Sequence, residues 1–479
     1  MVNFTKESIK DFNWITATDS YKQTHYHMYP NKTEYVYSYF ESRLGARFPC
    51  TIFAGLQYKL MRYALGSVIT QEDIEWAAYL AGMHFGNDKI FNRVGWEYIV
   101  NEYDGRLPLE IRAVAEGTPV PVGNVMMTFV NTDPKCWWLT NSVESFFTHV
   151  WAMSTSATLT WIIKNIQTKY LNFTSDNLET VLPFMLHDFG YRGSSSHESA
   201  QTVGIGHLIN YLGTDTIPAV ESAMKYYGGN DVFDKPFNIG FSVNASEHSI
   251  MTAKGEAGEF DLVDELLTKY PTGIISIVID SYNWKRFIKT MGTPRFKERI
   301  LNRDGKFVFR PDSGEPVQTS LEVYQAVANE FGYKKNSKGF EVLNPKTGCL
   351  WGDGVDEIDV ENIYGNLMNN GVSAENYIIG MGGNIHQKIN RDTQRNAFKS
   401  SYQVCDGIGI DIFKDPIDGS KRSKKGRLAL INRGGGVFKT LEEVKTWHTT
   451  GDLLKPVFRN GQLLKEYSLD EMRKNALIV

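Results

Sequence analysis

Apolar runs that end abruptly in polar tips recur through the middle of the chain, and the stretch Lys306 to Pro316, KFVFRPDSGEP, shows the unit. Phe307, Val308 and Phe309 read as a short buried strand, and Arg310, Asp312 and a Ser313-Gly314 turn follow at once. Pro316 stands where a helix can begin. Val317, Leu321, Tyr324, Ala328 and Phe331 then recur at helical spacing until Gly332 stops the pattern. The same grammar returns at Phe184 to Leu186 before His187, Asp188, Phe189 and Arg192, and at Ile274 to Ile279 before Asp280, Ser281 and Tyr282. It returns again at Leu350-Trp351 before Gly352, Asp353 and Gly354, and at Tyr377 to Ile379 before Gly380, Gly382 and Gly383. A second helical stretch, Val360, Ile363, Tyr364 and Leu367, is closed by Gly371.

Apolar runs with little polar alternation suit parallel strands covered on both faces, and polar residues gathered at their carboxyl ends are where barrel and open α/β enzymes build sites. The pattern predicts an α/β fold, with an irregular β/α barrel over residues 182–395. A doubly wound open sheet is the alternative reading of the same alternation.

Both chain ends read differently. Glu34 to Arg43 alternates Tyr35, Tyr37 and Tyr39 against Val36, Ser38 and Phe40, as a strand does. Residues 107 to 131 read as β structure around a Pro-Val-Gly-Asn turn at 121 to 124, and Trp138 to Leu171 as one helical run. Thr18 or Asp19 is in place to cap a helix. After residue 411 come Leu428 to Asn432, a triple-glycine turn, and Pro456 to Lys465 folded about Asn460-Gly461. These segments predict a β-rich second domain formed by both chain ends, residues 1–181 and 396–479, with the barrel between them.

Composition narrows the function classes. Lys and Arg total 51 against 55 Asp and Glu, a formal charge of −4, which argues against a general nucleic-acid binder. Cys50, Cys136, Cys349 and Cys405 lie far apart and read as buried free thiols in a reducing compartment. The first residues carry no apolar leader and no stretch is long enough to span a bilayer, so a cytoplasmic protein without membrane contact is expected. In this acidic background Lys421, Arg422, Lys424, Lys425 and Arg427 make a concentrated basic loop, read either as a solvated surface or as a grip for phosphates.

GxxxxGK(S/T), HExxH and GxSxG are absent, and Gly204-Ile205-Gly206 lacks the third glycine of a dinucleotide fingerprint. What remains is a set of carboxylates, arginines and glycines at strand ends. Asp280, Asp312 and Asp353 are suited to ribose hydroxyls or a hydrated magnesium ion, and Gly382 and Gly383 to close approach of backbone N–H groups to phosphate. Phe189 or Tyr21 could stack on a flat aromatic ligand. Taken singly, each of these residues reads as a cap or an ion-pair partner. Together they fit phosphoribosyl chemistry.

The motifs ATDSYKxTHY at 17–26, HDFGYRG at 187–193, GTDT at 213–216, EHS at 247–249, DSY at 280–282, RPDSG at 310–314, GDGVD at 352–356, and FKDP with KRSKKGR at 413–427 resemble the nicotinamide phosphoribosyltransferases, and the match runs on to RKNA at 473–476. The resemblance implies a homodimer of the type II phosphoribosyltransferase fold with active sites shared between subunits. It implies formation of nicotinamide mononucleotide and diphosphate from nicotinamide and 5-phosphoribosyl 1-diphosphate, with Mg2+ held mainly by substrate phosphates and ATP as a coupled co-substrate. On the matched positions Phe189 and the partner subunit's Tyr21 sandwich the pyridine ring, Asp215 accepts the amide, and Asp19, Ser276 and Arg310 lie nearby. Asp312, Gly352, Asp353, Gly382, Gly383 and Arg192 hold the ribosyl phosphate. Arg391, and from the other subunit Arg43, Lys399, Lys414 and Lys421, take diphosphate or nucleotide phosphates. His248 matches the histidine phosphorylated from ATP, and Asp280 and Asp312 complete the catalytic set.

Two stretches depart from the family. Arg43 to Phe53 is shorter than the lysine-rich loop of animal members, and Met381-Gly382-Gly383-Asn384-Ile385-His386 stands where the family has more serine, glycine and leucine. Activity on nicotinate, or a catalytically idle nucleotide-binding or signalling role, are the competing readings.

Overall fold

The computed structural model describes residues 4–229, 232–233, 239–352, 354–417, 422–446 and 449–477. The chain divides into two compact units, one of Met1–Thr158, Lys225–Asp231 and Asn390–Val479, the other of Leu159–Met224 and Val232–Ile389.

The first unit is built on an antiparallel sheet whose strands run, in spatial order, Ile408–Asp411, Asn396–Cys405, Thr33–Ser42, Val125–Asn131, Leu109–Ala113, Lys455–Arg459 and Gln462–Leu463. Both chain ends therefore contribute to one sheet, as the sequence predicts. Thr33–Ser42 is central and covered on both faces. Ser38 turns to the helix Leu139–Thr148, where its hydroxyl donates to Glu144 at 2.7 Å, while Tyr37 turns the other way, its hydroxyl 3.3 Å from the Leu428 carbonyl. The tyrosine alternation thus separates two buried faces rather than a wet one from a dry one. The helical run expected over 138–171 is two helices, Leu139–Thr148 and Trp151–Thr174, because the chain tightens to i→i+3 bonds at His149 and Val150. The expected cap at Thr18 or Asp19 is not formed. Tyr21 occupies the N-cap of the short helix Lys22–His25 without a side-chain bond, and the Asp19 carboxylate accepts from Ser145 instead.

The second unit is a barrel of parallel strands met in chain order: Leu186–Asp188, Gly213–Thr214, Asn244–Ala245, Thr272–Val278, Asp304–Arg310, Thr347–Trp351 and Tyr377–Met381. Tyr377–Met381 pairs with Leu186–Asp188, and Phe241, just before Asn244–Ala245, bridges Gly213, so the sheet returns to its own first edge. An open doubly wound sheet cannot do this, which decides between the two readings of the sequence. Helices connect the strands; Pro316–Phe331 is representative. Pro316 takes the first helical position, Glu315 accepts from Val317 and Gln318 at 3.2 and 2.7 Å, and Gly332 ends the helix at φ 84°.

One boundary differs from expectation. Leu182–Phe184 is a 3-10 turn containing Pro183, which has no N–H to give a ladder, so the strand begins at Leu186 and takes in His187 and Asp188. Of the four free cysteines, three are buried as expected and Cys405 is half-buried. Among the described residues no helix is long and apolar enough to cross a membrane.

Candidate active site

The carboxyl ends of the barrel strands deliver their last residues to one rim, and Arg310 is the charge around which they are set. Arg310 closes Asp304–Arg310, donates to the Ser246 carbonyl, and places its guanidinium 5.6 Å from the centre of the half-buried Phe189 ring. Burial pulls its pKa down, opposed by the negative charges of Asp312, Asp215 and Asp280, while Arg192 adds to the lowering. Among the described residues its Nε is buried without a hydrogen-bond partner, and so is the hydroxyl of Ser276 on the neighbouring strand. Phe189 lies against Gly380, where any Cβ would overlap its ring.

Asp215 follows the strand Gly213–Thr214 and accepts from two side chains, His187 Nε2 at 2.8 Å and the Ser242 hydroxyl. Burial works against its ionisation, but the hydrogen bond and charge of His187, the Ser242 bond and the charge of Arg310 outweigh it and hold the pKa below the usual aspartate value. Asp215 is therefore an ionised acceptor at the rim near Arg310.

His248 begins a short turn after Asn244–Ala245 and stands half exposed. Its Nε2 is 3.2 Å from Asp280 Oδ1 and its Nδ1 3.8 Å from Asp312 Oδ2. Asp280 is a fixed element, since its other oxygen accepts from the Asp312 backbone at 2.9 Å and from the Ser313 hydroxyl. Gly352 is required beside Asp312, because a Cβ there would overlap the Asp312 carboxylate. Gly382 and Gly383 open the short helix Gly383–His386 after Tyr377–Met381. Arg192 lies exposed on the turn after Phe189. The barrel thus brings together Phe189, Asp215, Ser276, His248, Asp280, Arg310 and Asp312, with Arg192 coupled to Arg310 by charge. Asp353 lies outside the described residues.

The expected phosphate cations fall in the first unit. Lys399 lies on Asn396–Cys405, 3.9 Å from Glu41, and its pKa is lowered by burial, with Arg43, Lys424 and Lys414 adding like charge against the pull of Glu41. Lys424 pairs with the other Glu41 oxygen and donates its backbone N–H to the Tyr39 hydroxyl at 2.9 Å. Arg43, Lys399 and Lys414 therefore form one basic group, to which the structure adds Lys424. Arg391 stands apart as an exposed side chain paired with Asp392 at 3.2 Å, and Lys421 lies outside the described residues. Tyr21 is exposed, its ring 5.2 Å from that of His25.

Residues 184–462 match the family model described as the nicotinate phosphoribosyltransferase (NAPRTase) family, and residues 13–111 match that of the nicotinamide phosphoribosyltransferase N-terminal domain. A protein named nicotinamide phosphoribosyltransferase from Xanthomonas campestris is 39% identical over 97% of this chain and 98% of its own. The chain belongs to the nicotinate phosphoribosyltransferase family. A second relative of the same printed name, from Acinetobacter baylyi, is 32% identical over 96% of each chain. Among solved structures, the nicotinate-nucleotide pyrophosphorylase of Pyrococcus furiosus superposes with a TM-score of 0.57 at 15% identity, covering 98% of this chain and 97% of that one, a likeness of fold.

Beneath the rim lies a group of buried residues that motif reading misses in this family member. Asp188 is fully buried; burial would raise its pKa, yet the hydrogen bond and charge of His386, with His207 and the Gly190 N–H, bring it down to about 2. His207 donates from Nε2 to the Gly213 carbonyl at 2.8 Å, and burial lowers its pKa to about 4 in spite of Asp188. His187 and His386 also face it and oppose its protonation. The only sequence signal was His187-Asp188 itself, which reads as rim until Pro183 shifts the strand.

The sign of the pH effect follows. Between pH 6.5 and 4 the unfolded chain protonates His207 and the folded chain does not, so stability falls as the pH is lowered through this window, by about 2 kcal/mol at pH 5. His207→Gln is expected to flatten that part of the stability profile, measured as the difference between variant and wild type in urea unfolding at pH 7 and pH 5. An equal difference at both pH values would contradict the buried neutral imidazole.

Proposed function

We propose that the chain forms nicotinamide mononucleotide and diphosphate from nicotinamide and 5-phosphoribosyl 1-diphosphate, in salvage of the pyridine nucleotide in the cytoplasm. The observation that carries the reading is the polarity of the pocket at Phe189. An ionised acceptor, Asp215, stands near a guanidinium with a free Nε, and a buried hydroxyl, Ser276, lies on the next strand, each donor without a partner among the described residues. A carboxamide presents one donor group and one acceptor, and complements such a set. A carboxylate presents acceptors only and meets the charge of Asp215.

In this reading the ring stacks on Phe189 with Tyr21 of the partner subunit on its other face, and Asp19 lies near the ring. Gly352, Asp353, Gly382, Gly383 and Arg192 hold the ribosyl phosphate beside Asp312. Arg391, with Arg43, Lys399, Lys414 and Lys421 of the partner subunit, takes the diphosphate, and the molecule works as a homodimer with shared sites. Stacking aligns the pyridine nitrogen with the anomeric carbon. As the carbon–oxygen bond to diphosphate breaks, the cations stabilise the leaving charge while the rim carboxylates stabilise the oxocarbenium-like ribose. Asp280 and Asp312 are hard oxygen donors of the type Mg2+ takes, and bound Mg2+ supplies charge neutralisation at the diphosphate. His248, oriented by Asp280 and Asp312, is the phosphate acceptor from ATP.

Purified protein supplied with phosphoribosyl diphosphate and magnesium is expected to make mononucleotide from nicotinamide and not from nicotinate; the opposite preference would move the chain to the nicotinate reaction. Asp215→Asn is expected to narrow the ratio of kcat/KM for the two pyridines by about tenfold or more, since a neutral side chain no longer repels the acid. An unchanged ratio would sink the amide contact. His248→Ala is expected to lose the stimulation of turnover by ATP while ATP-independent turnover persists, and an undiminished response to ATP would remove the phosphohistidine.

A further inference from the structure

The glycine-rich tip carries a histidine with no part in the chemistry above. His386 ends the helix Gly383–His386 and its side chain is fully buried. Its Nε2 lies 2.9 Å from Asp188 Oδ1 and its Nδ1 2.6 Å from the Ser194 hydroxyl. A carboxylate only accepts, so Nε2 carries a proton toward Asp188, and Nδ1 pairs with the Ser194 hydroxyl. With Asp188 ionised the first of these bonds is charge-assisted.

The next residue repeats the grip. Gln387 Nε2 donates to the Gly193 carbonyl at 2.7 Å. The facing loop is shaped to receive both side chains, since a Cβ on Gly190 would overlap the His386 ring and one on Gly193 the Gln387 amide. A backbone bond from Phe189 N–H to the Met381 carbonyl, 3.1 Å, ties the near end. Phe189 and Arg192 lie between these attachments. The segment that bears the stacking ring is thus fastened along its length to the segment that bears Gly382 and Gly383.

We infer that His386 is a positioning residue that locks the Phe189–Arg192 segment to the glycine-rich loop, so that phosphate in the loop and a ring on Phe189 reinforce each other. The inference rests on the substrates proposed above. Its physical basis is that a tied pair of loops is ordered once: the ligand that binds first meets the ordering cost, and the second binds without it. A leucine at the same position would fill the volume but remove the ring nitrogens that pair with Asp188 and Ser194.

The test is calorimetric titration of nicotinamide with and without saturating ribose 5-phosphate, which offers the phosphate without reacting. In wild type the sugar phosphate is expected to tighten nicotinamide about fivefold or more. His386→Leu is expected to bring that factor to about one, and Ser194→Ala, which keeps the buried Asp188 paired and so guards against misfolding, to lower it part of the way. His386→Gln, which retains a donor toward Asp188, is expected to restore part of it. A merely structural role would weaken both separate affinities and leave their ratio as in wild type, and that result overturns the tie. So does a wild-type factor of one. Failure of wild type to bind nicotinamide at all would instead overturn the substrate reading, and the inference with it.

Discussion

Parallel pairing around a closed ring obliges every barrel strand to deliver its carboxyl end to the same rim. Because the strands from Leu186–Asp188 to Tyr377–Met381 are met in chain order, each short loop after a strand becomes a neighbour of the loops before and after it. Asp280 and Asp312 are far apart in sequence, yet the pairing of Val278 with Arg310 puts the two tips side by side, and Asp280 then accepts from the Asp312 backbone. His248 enters the same cluster because Asn244–Ala245 pairs with Thr272–Val278 on its other side. The register of the strands, more than any one loop, composes the site.

Electrostatics then refine what topology assembles. Arg310 is pressed into a half-buried place where its charge is costly, and the three aspartates nearby offset that cost. Asp215 is served by His187, Ser242 and Arg310 at once, which keeps it ionised although it is partly withdrawn from water. The result is a rim with an ionised acceptor at Asp215 and buried donors without partners, among the described residues, at Arg310 Nε and the Ser276 hydroxyl. Below it, Asp188 and His386 join the segment of Phe189 to the glycine-rich loop through a contact wholly out of solvent.

Much of this was legible in the sequence, and the reasons differ from place to place. Phe307 to Phe309 and the helix from Pro316 announce themselves because strand, tip and helix are contiguous and each obeys a local rule. The joining of both chain ends in one sheet was legible from their shared β character. What the chain could not reveal locally is pairing at a distance. Nothing near Asp188 points to His386, and nothing near Lys399 points to Lys424, because these meet only through the tertiary structure. The two-residue displacement of the strand after Pro183 had the largest consequence, for it took two expected tip residues, His187 and Asp188, into the strand itself. The break at His149 was invisible for a milder reason: both halves keep the apolar spacing of a helix.

The central claim is that an ionised Asp215 and the ring of Phe189 select a pyridine carboxamide at the rim of the barrel, and it is tested most directly by a crystal structure of the protein with nicotinamide bound. The account predicts the ring stacked on Phe189, the amide nitrogen within hydrogen-bond distance of Asp215, the amide oxygen turned toward Ser276 or Arg310, and Tyr21 of the partner subunit over the second face. Nicotinamide bound away from Phe189, or bound there with its amide oxygen toward Asp215, would contradict it.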